Sequence, residues 1–156
     1  MREFAEKIMD YRVHGVAGVG LFFAAVGVGL AAVGVQSLLW GAVYLGVVLA
    51  GVWGILTSFC AKCPCQAKRC SHIILGPMAR LAPRRRPGPY TRGDVGGLIV
   101  SFLVILIFPQ PWLWDKLWVG LVFWSAALAA AGDILVAVCP RCLNVRCPLN
   151  RRPAAG

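Results

Sequence analysis

Charge is scarce in this sequence of 156 residues: 14% of the residues are Asp, Glu, Lys or Arg, whereas 59% are hydrophobic. The mean hydropathy of +0.73 is too high for a folded surface that faces water. The few charges cluster in short segments between long apolar runs, as helices that cross a bilayer require. The composition therefore excludes an ordinary soluble domain and predicts a membrane protein.

The common catalytic patterns are also missing. The sequence has no glycine-rich phosphate loop, no pair of catalytic carboxylates and no Ser-His-Asp arrangement. A hydrolase is therefore not predicted. The net charge of +10 is explained by membrane topology, so it gives no reason to predict nucleic acid binding.

Four apolar segments are candidates for membrane spans. Residues 13–35 and 38–59 contain no Asp, Glu, Lys or Arg and are each long enough for about 30 Å of hydrocarbon. Residues 95–108 form a run that is too short to span the hydrocarbon alone, so it needs the neutral PQPWLW segment after it to reach the interface. Residues 117–138 contain Asp133 as their one charge. The sequence predicts an all-α integral membrane protein with four transmembrane helices.

The basic residues predict the orientation, because loops rich in Lys and Arg resist translocation. Fifteen of the 16 Lys and Arg residues lie in the N-terminal tail, the middle connection or the C-terminal tail, and Lys116 alone lies on the other side. Both termini are therefore predicted to be cytoplasmic, in a multi-pass protein of the inner membrane. Four tryptophans fall at the outer interface, where aromatic side chains anchor helices: Trp40, Trp112, Trp114 and Trp118.

All seven cysteines follow the second or the fourth span, on the predicted cytoplasmic side: Cys60, Cys63, Cys65, Cys70, Cys139, Cys142 and Cys147. Cytoplasmic thiols are kept reduced, so a disulfide framework is not expected. Clustered Cys-x-x-Cys motifs in that compartment indicate metal binding or redox chemistry.

The chain also shows signs of an internal duplication within one membrane domain, residues 1–156. Residues 13–72 form two spans and a cysteine segment, a basic proline-rich loop covers 73–94, residues 95–150 repeat the pattern, and 151–156 form a tail. The motif F-C-A-K-C at 59–63 matches V-C-P-R-C at 138–142. Two hairpins of the same orientation are related by a pseudo-twofold axis along the membrane normal. We therefore expect both cysteine segments on one face, where they share ligands.

Counting ligands gives seven thiolates and His72, enough for two sites of four ligands each. Such soft ligands suit tetrahedral zinc or an iron-sulfur cluster. Two Cys-x-x-Cys motifs at helix ends favour a zinc ion that holds the hairpins together. Three Cys-Pro pairs and the dense C-x-x-C-x-C spacing favour iron-sulfur centres. Spacing does not distinguish zinc from iron-sulfur centres. In either case, basic residues between the cysteines are expected to lower the thiol pKa values: Lys62, Lys68, Arg69, Arg141 and Arg146.

The layout resembles the membrane part of the quinol-oxidising iron-sulfur proteins of the NapH and NosR type. These have paired transmembrane helices with cytoplasmic cysteine-proline motifs in the middle loop and after the last helix. The corresponding stretches here are C-A-K-C-P at 60–64 and C-L-N-V-R-C-P at 142–148. That family has three residues between the cysteines, whereas this sequence has two and four, and nine residues follow Cys147 where the family usually continues into a ferredoxin domain.

The resemblance implies iron-sulfur centres, such as 4Fe-4S clusters, that exchange electrons between membrane quinone and a cytoplasmic partner. The chain would then be a small, non-autonomous electron-transfer subunit of an oxidoreductase complex. The alternative from the residues is a zinc-stapled anchor or assembly subunit without redox activity of its own.

Four further features of the sequence predict contacts or chemistry. Asp133 lies six residues before Cys139. It is expected either to exchange a proton or bind a quinone hydroxyl, or to pair with an arginine or reach the headgroups. His14, at the start of the first span, is expected to have an interfacial role. The loop around Arg84–Arg86 is expected to attract anionic lipid or, alternatively, an acidic soluble partner. Small residues spaced four apart are expected to pack within the bundle. They are Ala42, Gly46, Ala50 and Gly54, and also Ala126 with Ala130 and Ala127 with Ala131.

Overall fold

The computed structural model describes residues 2–63, 75–83, 85, 88–142, 144 and 146–150, and in this part of the chain every regular element is helical. The α-helices are α1 (Arg2–Gln36), α2 (Leu38–Ser58), α3 (Leu75–Met78), α4 (Arg92–Ile107), α5 (Gln110–Leu113) and α6 (Leu117–Asp133). A 3-10 turn, Cys60–Lys62, follows α2. A π-helical turn, Ile134–Val138, and a second 3-10 turn, Cys139–Arg141, follow α6.

Four helical segments are long and apolar enough to cross a membrane: Val13–Gln36, Leu38–Lys62, Arg92–Leu113 and Leu117–Val138. The four predicted spans are therefore confirmed as candidate membrane helices. The third one does use the residues after Pro109, as the sequence required. It also begins at Arg92, earlier than expected, because Thr91 and Asp94 form a capping box at its first turn.

The helices pack in two principal pairs. The most extensive contacts join α1 to α6 and α2 to α4, and α1 also packs on α2. Gly51 allows the close approach of α2 and α4, since a Cβ atom there would lie 2.6 Å from Ile105 Cδ1. The bundle thus buries small residues where two helices meet, as helix association in lipid favours.

The expected packing of small residues is confirmed only in part. Gly54 packs against α4, and Ala127 and Ala130 are buried. Ala42, Gly46 and Ala50 do not pack as expected. All three residues are exposed, and a Cβ atom at Gly46 would meet nothing within 4 Å. The α4 helix packs against Gly54 of this series and against Gly51, which follows Ala50. Spacing of four marks a face of a helix, but it does not say which neighbour covers that face.

Tyr44 is the centre of the larger of two buried clusters. It is fully buried, its hydroxyl donates to the Ile105 carbonyl at 3.1 Å, and its ring stacks on Phe108 at 5.4 Å. A buried tyrosine in lipid needs such an acceptor for its hydroxyl. The bond ties the middle of α2 to the end of α4.

The bundle has two chemically different ends. At one end Trp40 lies 5.7 Å from Trp112, between ring centroids, and Gln36 donates to Asp115 at 2.6 Å. Trp114 and Trp118 are exposed at the same end. The opposite end carries the described cysteines and most of the described polar contacts, and it is the candidate functional site.

Candidate functional site

The two Cys-x-x-Cys motifs adopt the same local backbone. In each, the first cysteine begins a 3-10 turn and the fourth residue's N–H donates to its carbonyl, at 3.0 Å from Cys63 to Cys60 and 3.2 Å from Cys142 to Cys139. The second cysteine of each is extended, with φ −71° and ψ 124° at Cys63 and φ −63° and ψ 140° at Cys142. Each turn continues a membrane helix, so each pair of thiols lies at the end of a rigid element.

The first turn is held by the segment that leads into α4. The Tyr90 ring stacks on Phe59 with centroids 4.4 Å apart, directly before Cys60. The backbone N–H of Arg85 donates to the Ala61 carbonyl at 3.3 Å, and Ala61 is buried. Cys60 and Cys63 are therefore positioned by both α2 and the middle connection.

Asp94 is a buried carboxylate that ties this turn to α4. It is 3% exposed and accepts hydrogen bonds from Lys62 Nζ at 2.5 Å and Arg85 Nη1 at 2.6 Å. It also accepts from the Thr91 backbone N–H and hydroxyl, both at 2.8 Å. A buried carboxylate needs such partners to offset its desolvation. Lys62 was expected to offset the charge of the thiolates, but its ammonium pairs with Asp94 instead.

Asn144 connects the second cysteine segment to the first. Its side-chain nitrogen donates to Cys63 Sγ at 3.6 Å and to the Tyr90 hydroxyl at 3.2 Å, and the residue is 3% exposed. This contact places the second cysteine segment, which begins at Cys139, against a thiol that follows α2. The two cysteine segments therefore meet at one end of the bundle, as the sequence predicted.

The described thiols also interact electrostatically across the two segments. Burial, followed by the charges of Cys147 and Cys142, raises the pKa of Cys139 to about 11. Burial is also the main cause that raises the pKa of Cys147, to which Cys142 and Cys63 contribute. Burial and the nearby Cys63, Cys147 and Cys60 likewise raise the pKa of Tyr90. Cys147 thus lies within electrostatic range of thiols from both turns.

A second polar pair lies within the membrane region near the same end. His14 Nδ1 and Asp133 Oδ1 are 2.6 Å apart, joining α1 to the end of α6. Asp133 Oδ2 is buried and has no hydrogen-bond partner within the part of the chain that the structure describes. Gly18 lies against it, since a Cβ atom there would be 3.1 Å away. The π-helical turn begins at the next residue, a local widening that is frequent at functional sites. Among the side chains that the structure describes, Asp133 therefore pairs with His14.

The structure places five of the eight predicted ligands: Cys60, Cys63, Cys139, Cys142 and Cys147. No disulfide joins any two of these five. Cys65, Cys70 and His72 lie outside the described residues, as do Arg84 and Arg86 of the expected lipid-binding loop. Among the residues that are described, no three or more Cys, His, Asp or Glu side chains are grouped so that they could hold a metal ion as they stand.

Asp94, Asn144 and Tyr90 were not singled out from the sequence. For Asp94 a signal was present, because T-x-x-D directly before an apolar run is a capping-box pattern. For Asn144 and Tyr90 there was none, since their importance comes from a contact between segments that are far apart in sequence.

No family model, curated protein or solved structure matches the chain significantly. The function of the site therefore has to be inferred from its own chemistry.

Proposed function

We propose that this chain is a membrane subunit that binds a soft metal centre through thiols from both cysteine segments. The observation that carries the proposal is the contact of Asn144, in the second segment, with the Cys63 sulfur at 3.6 Å. It brings two chelating turns and Cys147 to one end of a helical bundle. A site shared between them would join the two halves of the molecule.

The donor set suits a thiophilic metal. Each turn offers two sulfur atoms at i and i+3, the spacing with which Cys-x-x-Cys motifs hold zinc or iron. Burial raises the pKa of the Cys139 thiol to about 11, and a bound cation would favour the thiolate form that metal binding requires. Binding would draw the two turns together and release protons. Cys65, Cys70 and His72 would supply further ligands.

We infer that the centre is of the iron-sulfur type and transfers electrons between the bilayer and a partner protein. Three features support this: the Cys-Pro pairs, the layout shared with the NapH and NosR type of protein, and the amide donor to a cysteine sulfur, a contact that tunes the potential of such centres. Asp133, which pairs with His14, lies six residues before Cys139 and is joined to it by the π-helical turn. There it would accept a proton from a quinol hydroxyl.

The second candidate is a structural zinc site. The observation in its favour is the matching backbone of the two Cys-x-x-Cys turns, which resembles two halves of one tetrahedral chelate. Zinc would then staple α2 to the end of α6 without redox chemistry. The chain would act as an anchor or assembly subunit of a membrane complex.

We further propose that the cysteine end faces the cytoplasm. Support comes from the charge distribution, because the one basic residue predicted on the other side, Lys116, lies at the tryptophan-rich end. A membrane-impermeant maleimide applied to intact cells, after chelation and reduction, should leave the cysteines unlabelled. Labelling of intact cells, before the membrane is opened, would refute this orientation. With the cysteine end in the cytoplasm, the basic connection around Arg84–Arg86 would contact anionic lipid.

Anaerobic purification followed by elemental analysis, absorption and electron paramagnetic resonance tests the proposed function. Iron with matching sulfide and a broad absorption near 400 nm indicates electron transfer, whereas zinc in a colourless protein supports the staple. Cys63→Ser and Cys142→Ser should each lose metal, because one site spans both turns.

Asp115→Asn is the matched control, since Asp115 lies at the opposite end and contacts Gln36. It should retain full metal content. Purified protein with less than one metal ion per four chains, or unchanged metal in both cysteine variants, would reject the shared site.

A further inference from the structure

Asn144 has a hydrogen-bonding pattern that fixes which atom faces the thiol. Its Oδ1 accepts from the Arg146 backbone N–H at 3.2 Å, and its Nδ2 faces both Cys63 Sγ and the Tyr90 hydroxyl. Only the oxygen of an amide side chain can accept from a backbone N–H. The orientation is therefore set by chemistry, and an N–H group is directed at the sulfur.

The acceptor in this contact is unusual for a buried amide. The sulfur of a neutral thiol is a weak acceptor, whereas a thiolate or a metal-bound cysteine sulfur carries negative charge and accepts more strongly. A buried N–H that meets a poor acceptor is destabilising, because its hydrogen bonds to water have been lost. The arrangement at Cys63 therefore matches a charged sulfur better than a neutral one.

The loop between Cys142 and Cys147 holds Asn144 in place. The Asn144 carbonyl accepts from the Cys147 backbone N–H at 3.1 Å and from Asn150 Nδ2 at 3.0 Å. Asn150 Nδ2 also donates to the Cys142 carbonyl at 2.9 Å. These bonds tie the Asn144 backbone to Cys147 and Asn150, and Asn150 to Cys142, so the amide is held against Cys63.

We propose that Asn144 is a positioning residue for the metal centre. Its N–H group stabilises the negative charge on the Cys63 sulfur and keeps the two cysteine segments at the separation that a shared ion requires. The inference rests on the proposed function, since it needs a metal-bound Cys63. It adds a ligand-supporting residue of the kind whose loss typically weakens metal binding by about 10- to 100-fold.

Cobalt(II) titration of the full-length, reduced, metal-free protein in detergent tests this inference. Co²⁺ bound by thiolates gives charge-transfer absorption whose energy reports the charge on the sulfur. Asn144→Ala and Asn144→Asp both remove the donor, and the second keeps the shape of the side chain. Each should weaken Co²⁺ binding by about 10- to 100-fold and shift the charge-transfer band. Circular dichroism and size-exclusion chromatography check that the variants are folded.

Tyr90→Phe is the matched control, because it removes the other acceptor of the same amide and leaves the bond to Cys63. It should retain the affinity and the band of the wild type. The inference is overturned if the Asn144 variants keep wild-type affinity and spectrum, or if Tyr90→Phe reproduces their effect. Absence of charge-transfer absorption in the wild type would instead reject the proposed function, and the inference with it.

Discussion

Replacement of Asp94 by alanine is predicted to open the cysteine end of the bundle. The carboxylate is 3% exposed and accepts from Lys62, from Arg85 and twice from Thr91. The Lys62 side chain is itself only 12% exposed. Asp94→Ala therefore leaves a largely buried ammonium without its counter-ion and removes the capping carboxylate of α4.

The size of the effect follows from the burial of the pair. Breaking a buried ion pair by removing one partner costs about 3–5 kcal/mol, because the other charge stays desolvated. Each 1.4 kcal/mol is tenfold in an equilibrium constant, so local opening around the first turn should increase by roughly 100-fold to a few thousand-fold. Removing both charges in Asp94→Asn with Lys62→Met should recover most of this loss.

The alkylation rate of Cys63 in the metal-free protein, in lipid nanodiscs and followed by mass spectrometry, reports this opening. Asp94→Ala should raise the rate at Cys63 much more than at Cys139, which follows a different helix. Asp115→Ala, at the other end of the bundle, is the control and should change neither rate. A Cys63 rate within twofold of the wild type in Asp94→Ala would refute the reasoning.

Three further predictions concern packing and polar contacts inside the bundle. Gly51→Ala should lower the midpoint of thermal unfolding, because the new Cβ atom would lie 2.6 Å from Ile105 Cδ1 and overpacking costs about 1–3 kcal/mol. Gly46→Ala is the control, since its Cβ atom would meet nothing within 4 Å and should not lower the midpoint. Equal shifts would contradict the packing of α2 on α4. His14→Ala should cost about 1 kcal/mol, because Asp133 loses a hydrogen-bond partner that is itself 40% exposed. Adding Asp133→Leu should restore the midpoint, and no recovery would argue against this bond as the cause. Tyr44→Phe should cost about 1 kcal/mol by removing the hydrogen bond to the Ile105 carbonyl. An unchanged midpoint in the same unfolding assay would show that this bond does not stabilise the fold.

Much of the architecture could be predicted because bilayer thickness makes span length a one-dimensional property of the sequence. The four apolar runs were enough to identify the candidate spans, including the use of the PQPWLW segment by the third. Local spacing also predicted the two similar Cys-x-x-Cys turns. The convergence of both cysteine segments followed from counting hairpins rather than from any contact that could be read directly.

The contacts that define the site could not be predicted, because they join distant positions. His14 and Asp133 are separated by 119 positions, and Asn144 and Cys63 by 81. Nothing in the residues around them indicates the partner. Lys62 shows the same limit, since its spacing beside Cys63 favoured a role at the thiolates, whereas Asp94, which is 32 positions away, binds it.

X-ray absorption at the edge of the metal that copurifies with the protein tests the central claim most directly. If thiols from both segments share one centre, the first shell consists of sulfur at about 2.3 Å, and either Cys63→Ser or Cys142→Ser lowers its sulfur count. A first shell of oxygen or nitrogen, or a sulfur shell that neither variant alters, would contradict the account.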